Sequence, residues 1–106
     1  MCLDEFVNYC ETPGVGATGK GTSYRNAIQY LCDYLCINVG TFSSDDLSLI
    51  KSKEKEISNS GSDFYKNLLT YLISRGRRSY LSSGFIRAAL PYFYSYYEWI
   101  SVNKKR

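Results

Sequence analysis

Apolar residues recur along this chain at steps of three and four over most of its length, and that rhythm predicts five helices. The first spans about residues 3–11, with Leu3, Phe6, Val7 and Cys10 on one face, and Pro13 and Gly14 end it. The second, about 22–35, carries Tyr24, Ile28, Leu31 and Leu35 as a stripe, with Arg25, Gln29 and Asp33 on its solvated side and Asn38 and Gly40 as its stop. Ser43 or Ser44 caps a third, with Asp45 and Asp46 in its first turn and Leu47, Ile50, Glu54 and Ile57 along one side. Its run from Lys51 to Glu56 reads as a solvated surface, so this helix is expected to be the least buried.

Asn59 to Ser62 break the chain, and Ser62 caps a fourth helix whose Phe64, Tyr65, Leu68, Leu69, Leu72 and Ile73 read as strongly core-forming. Gly76 is its left-handed stop. A fifth helix opens at Ser82 or Ser83 and carries Phe85, Ala88, Ala89, Tyr92, Phe93, Tyr96 and Ile100. Pro91 either kinks it or divides it in two, and the kink is the favoured reading. No internal repeat or alternating strand pattern interrupts this. The chain is therefore read as an all-α, compact bundle of four to five helices: one domain over residues 1–106, with a Gly-rich connection at 13–21 and a basic tail at 103–106.

Composition agrees with a single folding domain, since 106 residues with 44% hydrophobic and 22% charged side chains are enough to bury a continuous core. The aromatic content is unusual, with 11 Tyr, 5 Phe and 1 Trp, and tyrosines can put rings in the core while their hydroxyls reach its edge. The net charge of +3 is mild, but its distribution is not even. Basic residues gather at Lys66, Arg75, Arg77, Arg78 and Arg87 and again at 104–106, while Asp4, Glu5 and Glu11 sit near the start.

Chemistry is sparse. The chain has no His, and Cys2, Cys10, Cys32 and Cys36 lack Cys-x-x-Cys spacing, so they read as reduced thiols. Cys32 and Cys36 lie one turn apart, which leaves a weak metal or redox pair as the alternative to a core or surface role. No pair of carboxylates stands out as acid and base, and no cysteine has a His to activate it, so the chain is expected not to be an enzyme and to need no cofactor. No apolar run approaches the roughly 18–20 residues of a membrane span, and the acidic start does not look like a secretory signal. The expected compartment is the cytoplasm, with no membrane partner.

Residues 14–22, Gly-Val-Gly-Ala-Thr-Gly-Lys-Gly-Thr, resemble the phosphate-binding loop of nucleotide kinases. That loop works where a buried strand delivers it to a helix N-terminus, and Phe6 to Pro13 has polar breaks and a proline instead. A glycine-rich hinge is the preferred reading, with no nucleotide, while Lys20 and Arg25 remain candidate contacts to a DNA phosphate.

The segment Arg75-Gly76-Arg77-Arg78-Ser79-Tyr80, followed by Ser82, Ser83 and Arg87, combines guanidinium groups, hydroxyls and a helix start, which are the groups that bind phosphate. Its plain alternative is a solvated turn. The candidate DNA-binding set is Lys20, Arg25, Lys66, Arg75, Arg77, Arg78, Ser79 and Arg87, with no catalytic or metal-binding residue. The aromatics Tyr92, Tyr94, Tyr96, Tyr97 and Trp99 are read mainly as core, and any exposed remainder as a base-stacking surface or a protein interface.

The order of elements resembles the helical N-terminal, SAM-like core-binding domain of tyrosine recombinases and phage integrases. Two stretches carry the likeness, Tyr24-Arg25-Asn26-Ala27-Ile28-Gln29-Tyr30-Leu31 and Ala89-Leu90-Pro91-Tyr92-Phe93-Tyr94-Ser95-Tyr96, and it covers about residues 3–100. The chain departs from the family pattern at Lys20, where a Thr is frequent, and at Pro91, where a basic residue is common. Similar helical modules precede nuclease domains in bacterial restriction and mobile-element proteins. The resemblance implies a module that clasps double-stranded DNA through its phosphates. The rival expectation is a phage or mobile-element regulator that docks on a protein through its Tyr-rich last helix.

Overall fold

Six α-helices and one 3-10 turn make up the described part of a computed structural model, which covers residues 1–13 and 19–104. The helices are α1 (Leu3–Glu11), α2 (Gly21–Tyr34), α3 (Ser44–Ile57), α4 (Asp63–Ser74), α5 (Ser79–Ser82) and α6 (Phe85–Lys104), with the 3-10 turn at Val39–Thr41. No strand occurs among the described residues, so the chain is all-α. The greater part of the expected Gly-rich connection, and the end of the basic tail, lie outside the described residues.

Helices α2 and α6 form the centre, and α1 packs on both. Tyr24, Ala27, Ile28, Leu31 and Cys32 of α2 meet Ile86, Ala89, Leu90, Phe93 and Tyr96 of α6 in one apolar cluster. Phe6 of α1 closes it, with its ring 5.8 Å from Phe93 and 5.4 Å from Tyr96. The Tyr96 hydroxyl donates to the Cys2 carbonyl at 3.0 Å, so the buried ring keeps a partner for its polar end. Around this centre, α3 and α4 lie against each other at the edge.

The helix ends follow local chemistry. Ser43 caps α3 in a reciprocal box with Asp46: the Ser43 hydroxyl accepts from the Asp46 N–H, and the Asp46 carboxylate accepts from the Ser43 N–H. Ser62 caps α4 by accepting from the Tyr65 N–H. Gly76 stops α4 at φ +69°, and the N–H groups of Gly76 and Arg77 donate to the carbonyls of Ile73 and Leu72, a Schellman closure.

Helix α2 ends by the same closure, but earlier than Asn38 and Gly40, and with a different residue. Cys36 has φ +59°, its N–H donates to Asp33, and the Ile37 N–H donates to Cys32 at 2.8 Å. A β-carbon is disfavoured in that conformation, where glycine is at ease. Cys36→Gly is therefore expected to stabilise the fold by about 0.5–1 kcal/mol, after the added freedom of the unfolded glycine is subtracted. Urea titration checks this, and an unchanged or lower midpoint would count against the strained cap. The same geometry takes Cys36 out of the helix and leaves Cys32 buried and Cys36 exposed, so the two thiols do not share a helical face.

Two expectations need correction. Helix α4 is less deeply buried than its pattern suggests: only Leu68 and Leu72 are fully inside, Phe64, Tyr65 and Leu69 are half-buried against the core, and Ile73 is 54% exposed, because the helix lies at the bundle edge. Helix α3 is lightly buried as expected, with Ile50 and Ile57 inside out of 14 residues. The stretch 79–82 is a helix in its own right, a single turn too short to display a period. The last helix then starts at Phe85, after Gly84 at φ +80°, and runs unbroken through Pro91. Pro91 and Arg87, whose carbonyl loses its partner there, are both exposed, so water can satisfy that group.

Candidate nucleic-acid interface

The phosphate-loop lookalike has a packing explanation at its C-terminal end. Gly21 is buried where α2 starts beside α1, and a β-carbon there would lie 3.0 Å from the Val7 carbonyl and from the Glu11 side chain. The glycine lets two helix backbones approach. The element before the loop is helix α1 and not a strand, so the strand–loop–helix context of a phosphate loop does not form around it. Residues 14–18 lie outside the described residues.

Around α5 the picture differs. This one-turn helix stands as a ridge between three adjoining depressions, and each contains arginine. The largest, about 670 Å³, lies between α2 and the α4–α5 turn and takes Arg25 and Asn26 from one wall and Arg77 and Ser79 from the other. The second, about 470 Å³, shares Gly76 and Ser79 with the first and adds Arg78. The third, about 310 Å³, shares Ser82 with the second and adds Ser83 and Arg87. Four guanidinium groups thus follow an arc, with serine hydroxyls between them.

Local geometry sets how each is held. The Schellman closure at Gly76 turns the chain sharply, so that Arg77 and Arg78 leave α4 exposed, with an Arg77 N–H donating to the Gly76 carbonyl at 3.2 Å. Arg25 is steadied by Asp4 at 3.4 Å and by the Asn26 side-chain oxygen at 3.2 Å. With the Asp4 side chain 82% exposed, that ion pair is a surface contact worth about 0–1 kcal/mol, which a phosphate can displace. Asp33 is the acid lining the largest depression, and it accepts from the Gln29 amide at 2.9 Å. Lys20 sits over the Phe85 ring at 6.0 Å, and Phe85 lines the same groove.

Two candidates stand apart. Arg75 lies against the Tyr71 ring at 5.5 Å. Lys66 is exposed nine residues earlier, which on a helix is roughly 13 Å along the axis and about half a turn round, so the two do not point the same way. The structure thus brings Arg25, Arg77, Arg78, Ser79 and Arg87 to one side, with Lys20 at its margin, and leaves out Arg75 and Lys66, neither of which lines the three depressions.

The sequence reading missed the aromatic and amide part of the groove. Tyr30 and Tyr80 face it with ring centroids 5.6 Å apart, and the Tyr80 hydroxyl accepts from the Asn26 amide at 3.4 Å. Asn26, Gln29 and Asp33 recur at steps of three and four, so a polar stripe on α2 was the available signal.

The C-terminal aromatics are mostly structural. Tyr96 is buried, Tyr92 packs on Tyr24 at 5.3 Å, Tyr97 packs on Phe42 at 5.4 Å, and the Tyr94 hydroxyl donates to Glu54 at 3.3 Å. Trp99, stacked on Tyr96 at 6.3 Å, stays 50% exposed, and Val102 is 56% exposed. Burial pushes the Cys10 thiol up to about 11, with Glu11 adding to it, and the Cys32 thiol up to about 12, with Asp33 and Asp46 adding to it. Both are protonated at neutral pH, which removes them as nucleophiles. Among the described residues no group of three or more Cys, Asp or Glu side chains is placed to hold a metal ion, and no helix is long and apolar enough to cross a membrane.

No protein-family model, curated protein or solved structure matches this chain.

Proposed function

We propose that this protein is a non-catalytic DNA-binding module that clamps the phosphates of a duplex along the arc of arginines around α5. The observation that carries the reading is the convergence of Arg25, more than fifty residues away in sequence, with Arg77 in one groove that continues past Arg78 to Arg87. Guanidinium groups fork onto phosphate oxygens, and the intervening serine hydroxyls supply further donors. Such contacts fix position on the duplex and carry no base information, so little sequence selectivity is expected. The likeness to the core-binding domain of tyrosine recombinases belongs to the same proposal.

The test is a duplex-binding titration at two or more salt concentrations. Arg77→Ala/Arg78→Ala is expected to weaken binding equally for unrelated sequences and to make the dependence of log K on log salt shallower by about 2. Unchanged binding in the double variant would remove the site. One observation favours a second reading: Trp99 and Val102 lie three residues apart and half exposed on α6, as a protein-docking face would have them. In that case binding to DNA is absent and association with the partner depends little on salt.

A further inference from the structure

The largest groove contains more than phosphate binding needs. Its arginines lie on opposite walls, but between them are the aromatic rings of Tyr30, Tyr80 and Phe85 and the amide of Gln29. The rings adjoin one another along the groove, with Tyr80 5.6 Å from Tyr30 and 5.9 Å from Phe85, and all three are half-buried and line it. At about 670 Å³ the space falls within the range of sites that enclose a small molecule. Aromatic surface next to guanidinium groups is the combination that takes a base by its face and the attached phosphate by its charge. The amide of Gln29 and the carboxylate of Asp33 offer donors and acceptors to a base edge.

A base inside a duplex cannot use this wall, because both its faces are covered by its neighbours and leaving the stack costs several kcal/mol. An unpaired base has neither obstacle. We infer that the groove between α2 and the α4–α5 turn is a pocket for one unpaired nucleotide, of the kind found at an overhanging DNA end or in a gap, with its phosphate between Arg25 and Arg77 and its base on Tyr30 and Tyr80. The inference rests on the DNA-binding reading and adds a substrate class to it: a duplex that presents a single-stranded end.

The test compares, with the full chain, a fluorescent blunt duplex with the same duplex carrying a short single-stranded overhang, by anisotropy at fixed salt. The overhang is expected to bind about tenfold more tightly, the effect of one stacked base. Charge alone predicts no such gain, because single strands release fewer counterions per phosphate than duplex. Tyr30→Leu keeps the charge and most of the volume, and is expected to remove the preference, bringing the overhang affinity down to that of the blunt duplex in the same variant. Should that variant lose its helical circular dichroism, Tyr80→Leu provides the same comparison from the other ring that carries the base. Equal affinity of the wild type for both DNAs overturns the pocket and leaves the phosphate clamp standing. A preference that survives in the folded variants removes it from this groove, and binding to neither DNA overturns both readings.

Discussion

Phe93→Ala is expected to destabilise the fold by about 3–5 kcal/mol, a large share of the roughly 5–15 kcal/mol that holds an ordinary domain together. Phe93 has no exposed surface and stands where three elements meet: its ring packs edge-on against Phe6 of α1 at 5.8 Å and against Phe42, just beyond the 3-10 turn, at 5.3 Å. Truncation removes the transfer free energy of the ring and leaves a cavity that helices pinned at both ends cannot easily close. A fall in Tm of more than about 10 °C follows for a chain of this size. Val102→Ala, on the same helix but 56% exposed, is the control, with a change within about 0.5 kcal/mol. A Phe93→Ala protein that melts within a few degrees of wild type would mean that α1, α2 and α6 do not share the core described here.

Most of this architecture was legible because it depends on short-range signals. The 3–11 helix is found where its four apolar residues and Pro13 put it. Ser43, Ser62 and Gly76 act as caps and stop because capping depends only on a few neighbouring atoms. What failed was either too short or set by distant neighbours. The turn of α5 is shorter than two helical periods. Cys36 adopts a left-handed conformation that its residue type does not advertise. Ile73 extends the apolar pattern of α4, and nothing local says that the bundle ends before reaching it.

The candidate site divides along the same line. Arg77, Arg78, Ser79 and Arg87 are close in sequence, so their clustering showed as a basic segment. That Arg25 faces them, and that Tyr30, Asn26 and Gln29 line the same groove, follows from how α2 lies beside the α4–α5 turn, which is a property of the packing and not of either segment. Lys66 shows the converse. It belongs with the others by charge alone: like Arg75, it lines none of the three depressions around α5.

The core that Phe93 anchors also carries ionisable groups, and from these follows an expected loss of the fold in alkali. Burial, with Glu5 and Cys2 adding to it, pushes the Tyr96 hydroxyl from its ordinary 10 up to about 12. Burial likewise raises the Cys10 and Cys32 thiols from 9 to about 11 and about 12. Burial and Glu54 raise Tyr94, and burial raises Tyr24. Each of these groups is neutral when protonated, and the folded chain holds its proton to a higher pH than the unfolded chain does. The unfolded state therefore sheds protons first, and stability falls as pH rises, beginning near the ordinary thiol value of 9 and continuing towards about 12. Tyr96 alone accounts for roughly 2–3 kcal/mol across its window, and the stabilising contribution of all these groups is fully present below pH 9. Helical circular dichroism is expected to collapse together with the rise in tyrosinate absorbance that belongs to Tyr96. Tyr96→Phe should be weaker at neutral pH by about 1 kcal/mol, having lost the hydrogen bond to Cys2, yet lose less of its stability between about pH 10 and 12. If every tyrosine ionises in a single step near its ordinary value while the helical signal stays intact, Tyr96 is not in the interior.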